Sequence, residues 1–201
     1  MHTMAQRLQF PLQMSFKLIA LAPQFLVKDA REQPVAYVRQ KLFKLKEAIT
    51  VFANEKQDAL LYQIKADRII DFSALYHFTD TQGVALGGIK RRGMRSMWRA
   101  GFDVLDNGVT HFSINEKSVM TRFLDGLFSQ IPLIGLFSGY LFHPAYQVTR
   151  PDGTLVAELT KRPALFEGLF SAEQIAPVNE REEQQLLLAL MTVLLLERSR
   201  G

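Results

Sequence analysis

Five basic side chains fall within ten residues: Lys90, Arg91, Arg92, Arg95 and Arg99. No acid stands among them, and Met94, Met97 and Trp98 are interleaved. Guanidinium forks match phosphate oxygens, and an indole settles at a polar–apolar boundary, so this stretch could hold anionic lipid headgroups. The plainer reading is a solvated loop and strand with Trp98 in the core, because basic clusters are common at a pI near 9.4. Nucleic-acid binding through residues 90–99 is a weaker reading. It would require a steep salt dependence and bases stacked on Trp98.

Catalytic constellations are thin. His2, His77, His111 and His143 are scattered, with no HExxH or paired-His spacing, and there is no GxSxG, P-loop or GxGxxG. The chain has no Cys, which excludes disulfides and thiolate chemistry. Asp29, Asp80 and Asp106 occupy turn positions, which accounts for them without acid–base work. His77 and His111 sit among aromatics at strand positions, where a hydrogen-bonded structural histidine is expected. No metal, no cofactor and no enzyme activity is expected.

These groups need a scaffold, and most of it reads as β. Four segments share an aromatic, an apolar residue two positions on, a turn and a second apolar strand. They run over 25–38, 76–89, 102–114 and 146–159, with turns DAREQ, DTQG, DNG and RPDG. Asp at entry and Gly where φ must be positive are turn chemistry. Further strands are expected at Ser15–Leu21, Ala48–Asn54, Leu60–Ala66 and Leu165–Ile175. Hairpins at this spacing argue a sandwich or barrel. The 201 residues, 48% hydrophobic and 22% charged, fit a single globular domain over 1–201. The net charge of +4 permits an anionic partner without requiring one. No signal peptide is read at the N-terminus, so a cytoplasmic protein is expected, peripheral at the membrane if it binds lipid.

The end of the chain reads as a helix over about 180–198. Asn179 is a good N-cap and Glu182 stands three residues on, as in a capping box. From Leu186 to Leu196 every residue but Thr192 is apolar. A helix apolar on all faces is buried all round or lies in a membrane. This run rises only about 16 Å against roughly 30 Å of hydrocarbon core, which favours a buried helix. A closed antiparallel barrel threaded by that helix buries it on every side and removes the sheet edges.

A second apolar stretch, Phe123 to Phe142, lies within an insertion at about 120–143 between the third and fourth hairpins. Pro132, Gln130 and glycines at 126, 135 and 139 interrupt it. We expect a flap over the barrel, with Leu127, Phe128, Ile131, Ile134 and Phe137 as its contact residues. The flap could pack on its own barrel, pair two copies as a homodimer, or meet a bilayer or protein partner.

Pro34-Val-Ala-Tyr-Val-Arg-Gln-Lys-Leu-Phe43, then Tyr76-His-Phe-Thr-Asp-Thr-Gln-Gly83, then Ile89-Lys-Arg-Arg92 with Met97-Trp-Arg99 and Phe102-Asp-Val-Leu-Asp106 resembles the LURP-one-related family. That family is grouped with phospholipid scramblases and Tubby C-terminal domains. The resemblance implies a mostly β fold, a 12-stranded barrel around a central C-terminal helix. It also implies a lipid-associated or scaffold role rather than an enzyme. Scramblases carry an acidic calcium segment before the helix. Here Phe170 to Asn179 holds one carboxylate, where a hard cation wants several oxygens. Tubby domains bind phosphoinositides through lysines and arginines, but no motif transfers those residues to this chain. The favoured function is therefore a non-enzymatic binding or scaffold domain for anionic membrane lipid or a protein. The alternative is an enzyme or small-ligand carrier using a pocket at a barrel mouth.

Overall fold

Alternation decides which face each strand turns inward. In Leu12–Lys17, Leu12, Met14 and Phe16 are buried while Gln13, Ser15 and Lys17 are not. Gly101–Asp106 repeats the pattern with Phe102 and Val104. The computed structural model describes residues 7–17, 24–39, 48–68, 74–92, 101–117, 145–163 and 167–198. Within them lie β1 (Leu12–Lys17), β2 (Gln24–Lys28), β3 (Pro34–Arg39), β4 (Ile49–Phe52), β5 (Leu60–Ala66) and β6 (Leu75–Asp80). Then come β7 (Ala85–Arg91), β8 (Gly101–Asp106), β9 (Val109–Glu116), β10 (Ala145–Thr149), β11 (Leu155–Arg162), β12 (Glu167–Gln174) and the helix α1 (Glu180–Arg198).

Each strand pairs antiparallel with the next in sequence, and β12 returns to β1, so the twelve strands close into a barrel. Closure leaves no free sheet edge to template aggregation. The four expected hairpins are β2–β3, β6–β7, β8–β9 and β10–β11. The expected strand at Leu60–Ala66 is β5 as read. β1 begins upstream of the expected Ser15, because the alternating inward residues start at Leu12.

A regularity ties the hairpins together. In β2–β3, β4–β5, β6–β7, β8–β9 and β10–β11 the register slips by one residue near the turn. The extra residues are Val35, Leu61, Leu86, His111 and Val156. Such bulges add twist and bend the strand, which helps a sheet close. The β4–β5 hairpin thus joins the four that share a sequence pattern.

Strand direction divides the barrel into two mouths. The turns after β2, β4, β6, β8 and β10 lie at the first, with the link from β12 into α1. The second holds the opposite strand ends and the C-terminus of α1.

The helix occupies the lumen. Every residue from Gln185 to Val193 is fully buried. Inward side chains wrap it in one contiguous core with it, including Met14, Val27, Ile64, Phe78, Ile89, Phe102, Phe112 and Leu159. Thr192 is accommodated because its Oγ1 donates to the Leu188 carbonyl at 2.7 Å. Close approach is bought at Gly87 on β7, where φ is +102° and an added Cβ would stand 2.4 Å from the Leu105 carbonyl oxygen.

Candidate functional site

At the second mouth, β7 carries the start of the basic stretch. Lys90 and Arg92 are exposed, while Arg91 is half-buried between them. Inward-facing Arg91 lies over the Phe102 ring at 5.9 Å. Arg92 is committed to the wall. Its Nε stands 3.2 Å from Asp103 Oδ1 and its Nη2 donates to Asn115 Oδ1 at 2.6 Å. The described cations therefore do not share one face: Lys90 and Arg92 look outward and Arg91 toward the end of α1. Arg95, Trp98 and Arg99 lie outside the described residues, as do Leu127, Phe128, Ile131, Ile134 and Phe137. The strand ends that flank both stretches, Arg91 and Gly101, Glu116 and Ala145, share the second mouth.

The helix end adds charge there. Burial raises the pKa of Glu197, Arg91 opposes the rise and Glu116 reinforces it. Arg198 lies over the Phe16 ring at 4.6 Å. Its Nη1 is buried without a hydrogen-bond partner, and burial lowers its pKa. A cation in the last turn also suits the helix dipole.

The first mouth is a polar network that anchors α1. The capping box is present: Asn179 Oδ1 accepts from the Glu182 N–H at 2.9 Å, and Glu182 Oε2 accepts from the Asn179 N–H at 2.9 Å. Arg150 donates to both Glu182 oxygens at 3.2 Å and to the Pro177 carbonyl at 2.8 Å. Glu183, buried, accepts from the Leu8 N–H, and Arg7 stands 3.7 Å away. Burial pushes the Tyr62 hydroxyl up to about 12, with Asp80, Glu180 and Glu183 adding to the rise.

Asp106 sits at the centre of this network. Arg181 grips it through Nε at 2.6 Å and Nη2 at 2.9 Å. Fully buried Gln185 donates from Nε2 to Asp106 Oδ2 at 3.0 Å and to the Leu86 carbonyl at 2.9 Å. His111 Nδ1 meets Gln185 Oε1 at 3.2 Å. The hydrogen bonds from Arg181 pull the Asp106 carboxyl below its usual range, against the opposing effect of burial.

This corrects one sequence expectation and refines another. Asp29 and Asp80 do accept backbone N–H groups across their turns, from Arg31 and Gln33 and from Gln82 and Val84. Asp106 does not. Its turn is made by Asn107 and Gly108, both at positive φ, a two-residue hairpin loop that needs no capping carboxylate. The carboxylate is therefore free to bind the helix. His111 is hydrogen-bonded as expected, but His77 is exposed on the outer face. Sequence reasoning missed the Asp106–Arg181–Gln185 set. The one available signal was Gln185, a polar residue at the lip of an apolar run that has to find a partner.

Among the described residues no group of His, Cys, Asp and Glu could hold a metal ion. No described helix is long and apolar enough to cross a membrane. Compared with known proteins, residues 34–194 match a family model described as LURP-one-related. The match runs from β3 into α1, well over half of the chain. No curated protein and no solved structure matches the chain.

Proposed function

The chain belongs to the LURP-one-related family, and from that premise we propose that it is a non-enzymatic binding domain that associates with anionic membrane lipid through its second mouth. What supports this is the filled lumen. With α1 fully buried from Gln185 to Val193, the barrel interior is core rather than pocket, and a ligand must be met outside or at a mouth. The second mouth is the favoured end. Exposed Lys90 stands there, and there the strands lead into and out of the basic stretch and the apolar insertion. Cations beside apolar side chains suit a headgroup layer over acyl chains.

The test is flotation with phosphatidylcholine vesicles, with and without phosphatidylserine or a phosphoinositide. A Lys90→Glu/Arg95→Glu/Arg99→Glu variant leaves Arg91 and Arg92 in place. Wild type should float with anionic vesicles only, and high salt should release it, since exposed charges are screened over about 10 Å at 0.1 M. The triple variant should stay behind with its far-UV spectrum unchanged. Wild type that ignores anionic vesicles, or a variant that floats as well as wild type, defeats the reading. Ile134→Ser/Phe137→Ser probes the apolar contribution, with light scattering to register any homodimer.

A further inference from the structure

We infer that the Asn107–Gly108 turn is a site of spontaneous covalent modification: Asn107 loses its side-chain amide by closing a succinimide ring on Gly108, and the product slackens the hold of the barrel on α1. The chain has four asparagines, Asn54, Asn107, Asn115 and Asn179. Ring closure needs the next peptide nitrogen to reach the asparagine Cγ. It is fastest where the following residue has no Cβ to crowd that nitrogen and where both reacting groups are free. Glu follows Asn54, Asn115 and Asn179, whereas Gly follows Asn107.

Hydrogen bonding makes the same choice. Asn54 Oδ1 accepts from the Lys56 N–H at 2.9 Å and its Nδ2 donates to Asp58 at 3.1 Å. Asn115 Oδ1 accepts from Arg92 at 2.6 Å, and Asn179 Oδ1 from the Glu182 N–H at 2.9 Å. The Asn107 side chain is exposed and hydrogen-bonded to none of the described residues. The attacking nitrogen is free as well. The Gly83 and Gly153 N–H groups donate back across their turns to the Asp80 and Arg150 carbonyls, at 3.2 and 2.9 Å, but the Gly108 N–H has no such acceptor among the described residues. A Cβ added at Gly108 would meet nothing within 4 Å, so the loop stands in open solvent. Asn107 and Gly108 have φ of 50° and 80°. Turning the peptide between them into the line of attack requires fraying of a two-residue tip, not opening of the barrel.

The chemistry balances with water as the one co-reactant. The Gly108 nitrogen gives its proton to hydroxide and attacks Asn107 Cγ. A carbon–nitrogen bond forms, and the side-chain nitrogen leaves as ammonia. Water then opens the ring at either carbonyl. One opening leaves an aspartate at position 107. The other leaves an isoaspartate, whose main chain runs through the former side chain and is one methylene longer. Both put a new negative charge beside Asp106. The isoaspartate also lengthens the loop that keeps Asp106 and Val109 in register. Arg181 and Gln185 hold Asp106, so the change acts on the anchor of α1 at the first mouth.

The test ages the full chain for days in mildly alkaline buffer at body temperature, beside Asn107→Gly, which keeps a turn-compatible residue and removes the amide. Mass spectrometry of the separated peptides reads amide loss at each asparagine. Wild type should lose most of the amide at position 107 while Asn54, Asn115 and Asn179 keep theirs. The loss should accelerate as pH rises and should give two products of equal mass, aspartyl and isoaspartyl. Urea unfolding of the same samples should show a midpoint that falls with the fraction converted in wild type and stays fixed in Asn107→Gly. Another asparagine reacting first, an absence of isoaspartate, or a rate indifferent to pH overturns the site. A converted wild type with an unchanged midpoint overturns its link to the α1 anchor. The peptide mapping of wild type decides the first point whether or not the variant folds, and neither readout depends on lipid binding.

Discussion

Leu190→Ala tests whether α1 is the core of the barrel or merely rests against it. Leu190 is fully exposed to other side chains and not at all to water: its accessibility is 0%, as is that of both flanking residues. Removing three carbons from such a site forfeits about 0.8 kcal/mol per methylene, or about 2.4 kcal/mol of transfer free energy. A cavity term adds to this in proportion to how little the surroundings collapse, and measured Leu→Ala losses at buried sites run from about 2.7 to 5.0 kcal/mol. Here the wall is a closed hydrogen-bonded ring, and a ring cannot draw in on one side without bending its ladders. The expected loss is therefore in the upper half, about 4 kcal/mol. The assay is equilibrium unfolding in urea followed by far-UV circular dichroism. With a slope near 3 kcal/mol per molar, the midpoint should fall by about 1.3 M at constant slope. A fall below about 0.4 M, or about 1 kcal/mol, would mean that the helix relaxes or reaches solvent, and the threaded barrel would be wrong.

Three further outcomes are expected. Thr192→Val should change stability by less than about 1 kcal/mol in the same assay, because the hydroxyl and its Leu188 acceptor lie on the helix itself and the shape is conserved. Gly87→Ala should cost more than about 2 kcal/mol or prevent folding, since its Cβ would meet the Leu105 carbonyl in a backbone conformation that side chains disfavour. Asp106 has a lowered folded pKa, so the stability it contributes is present above its unfolded value of about 3.9 and is lost as pH falls through the folded one. Asp106→Asn should accordingly be less stable than wild type at neutral pH. The gap should narrow on acidification below about pH 4, and a gap that stays constant with pH would contradict this.

The fold was legible because its signals are local. A capping box, an apolar helix, turns marked by Asp and Gly and period-two strands each need only a short window, and each of these points to the same barrel. Pairing partners that are far apart in sequence left no such trace. Glu183 reaches the Leu8 N–H across 175 residues and Asp106 reaches Arg181 across 75, and nothing near either residue announces the other. Asp106 was misassigned for a related reason: a carboxylate before Asn-Gly looks like a turn residue whether or not the turn uses it. The basic stretch read as one unit, yet strand alternation sends Lys90 and Arg92 outward and Arg91 inward. A count of charges does not carry that distinction.

The position of α1 after all twelve strands has a consequence for vectorial synthesis. As the chain leaves the ribosome, each hairpin can close on its own neighbours, since every pairing but that of β12 with β1 joins consecutive strands. The inward apolar rows nevertheless remain unlined until the segment that fills them is translated. A nascent barrel therefore presents its core residues to solvent for longer than a protein whose core is assembled from neighbouring elements, and co-translational chaperones have most to do just before Glu180 emerges. Ribosome stalling ahead of that point should yield aggregation-prone chains, and stalling after Arg198 has cleared the exit tunnel should yield compact ones.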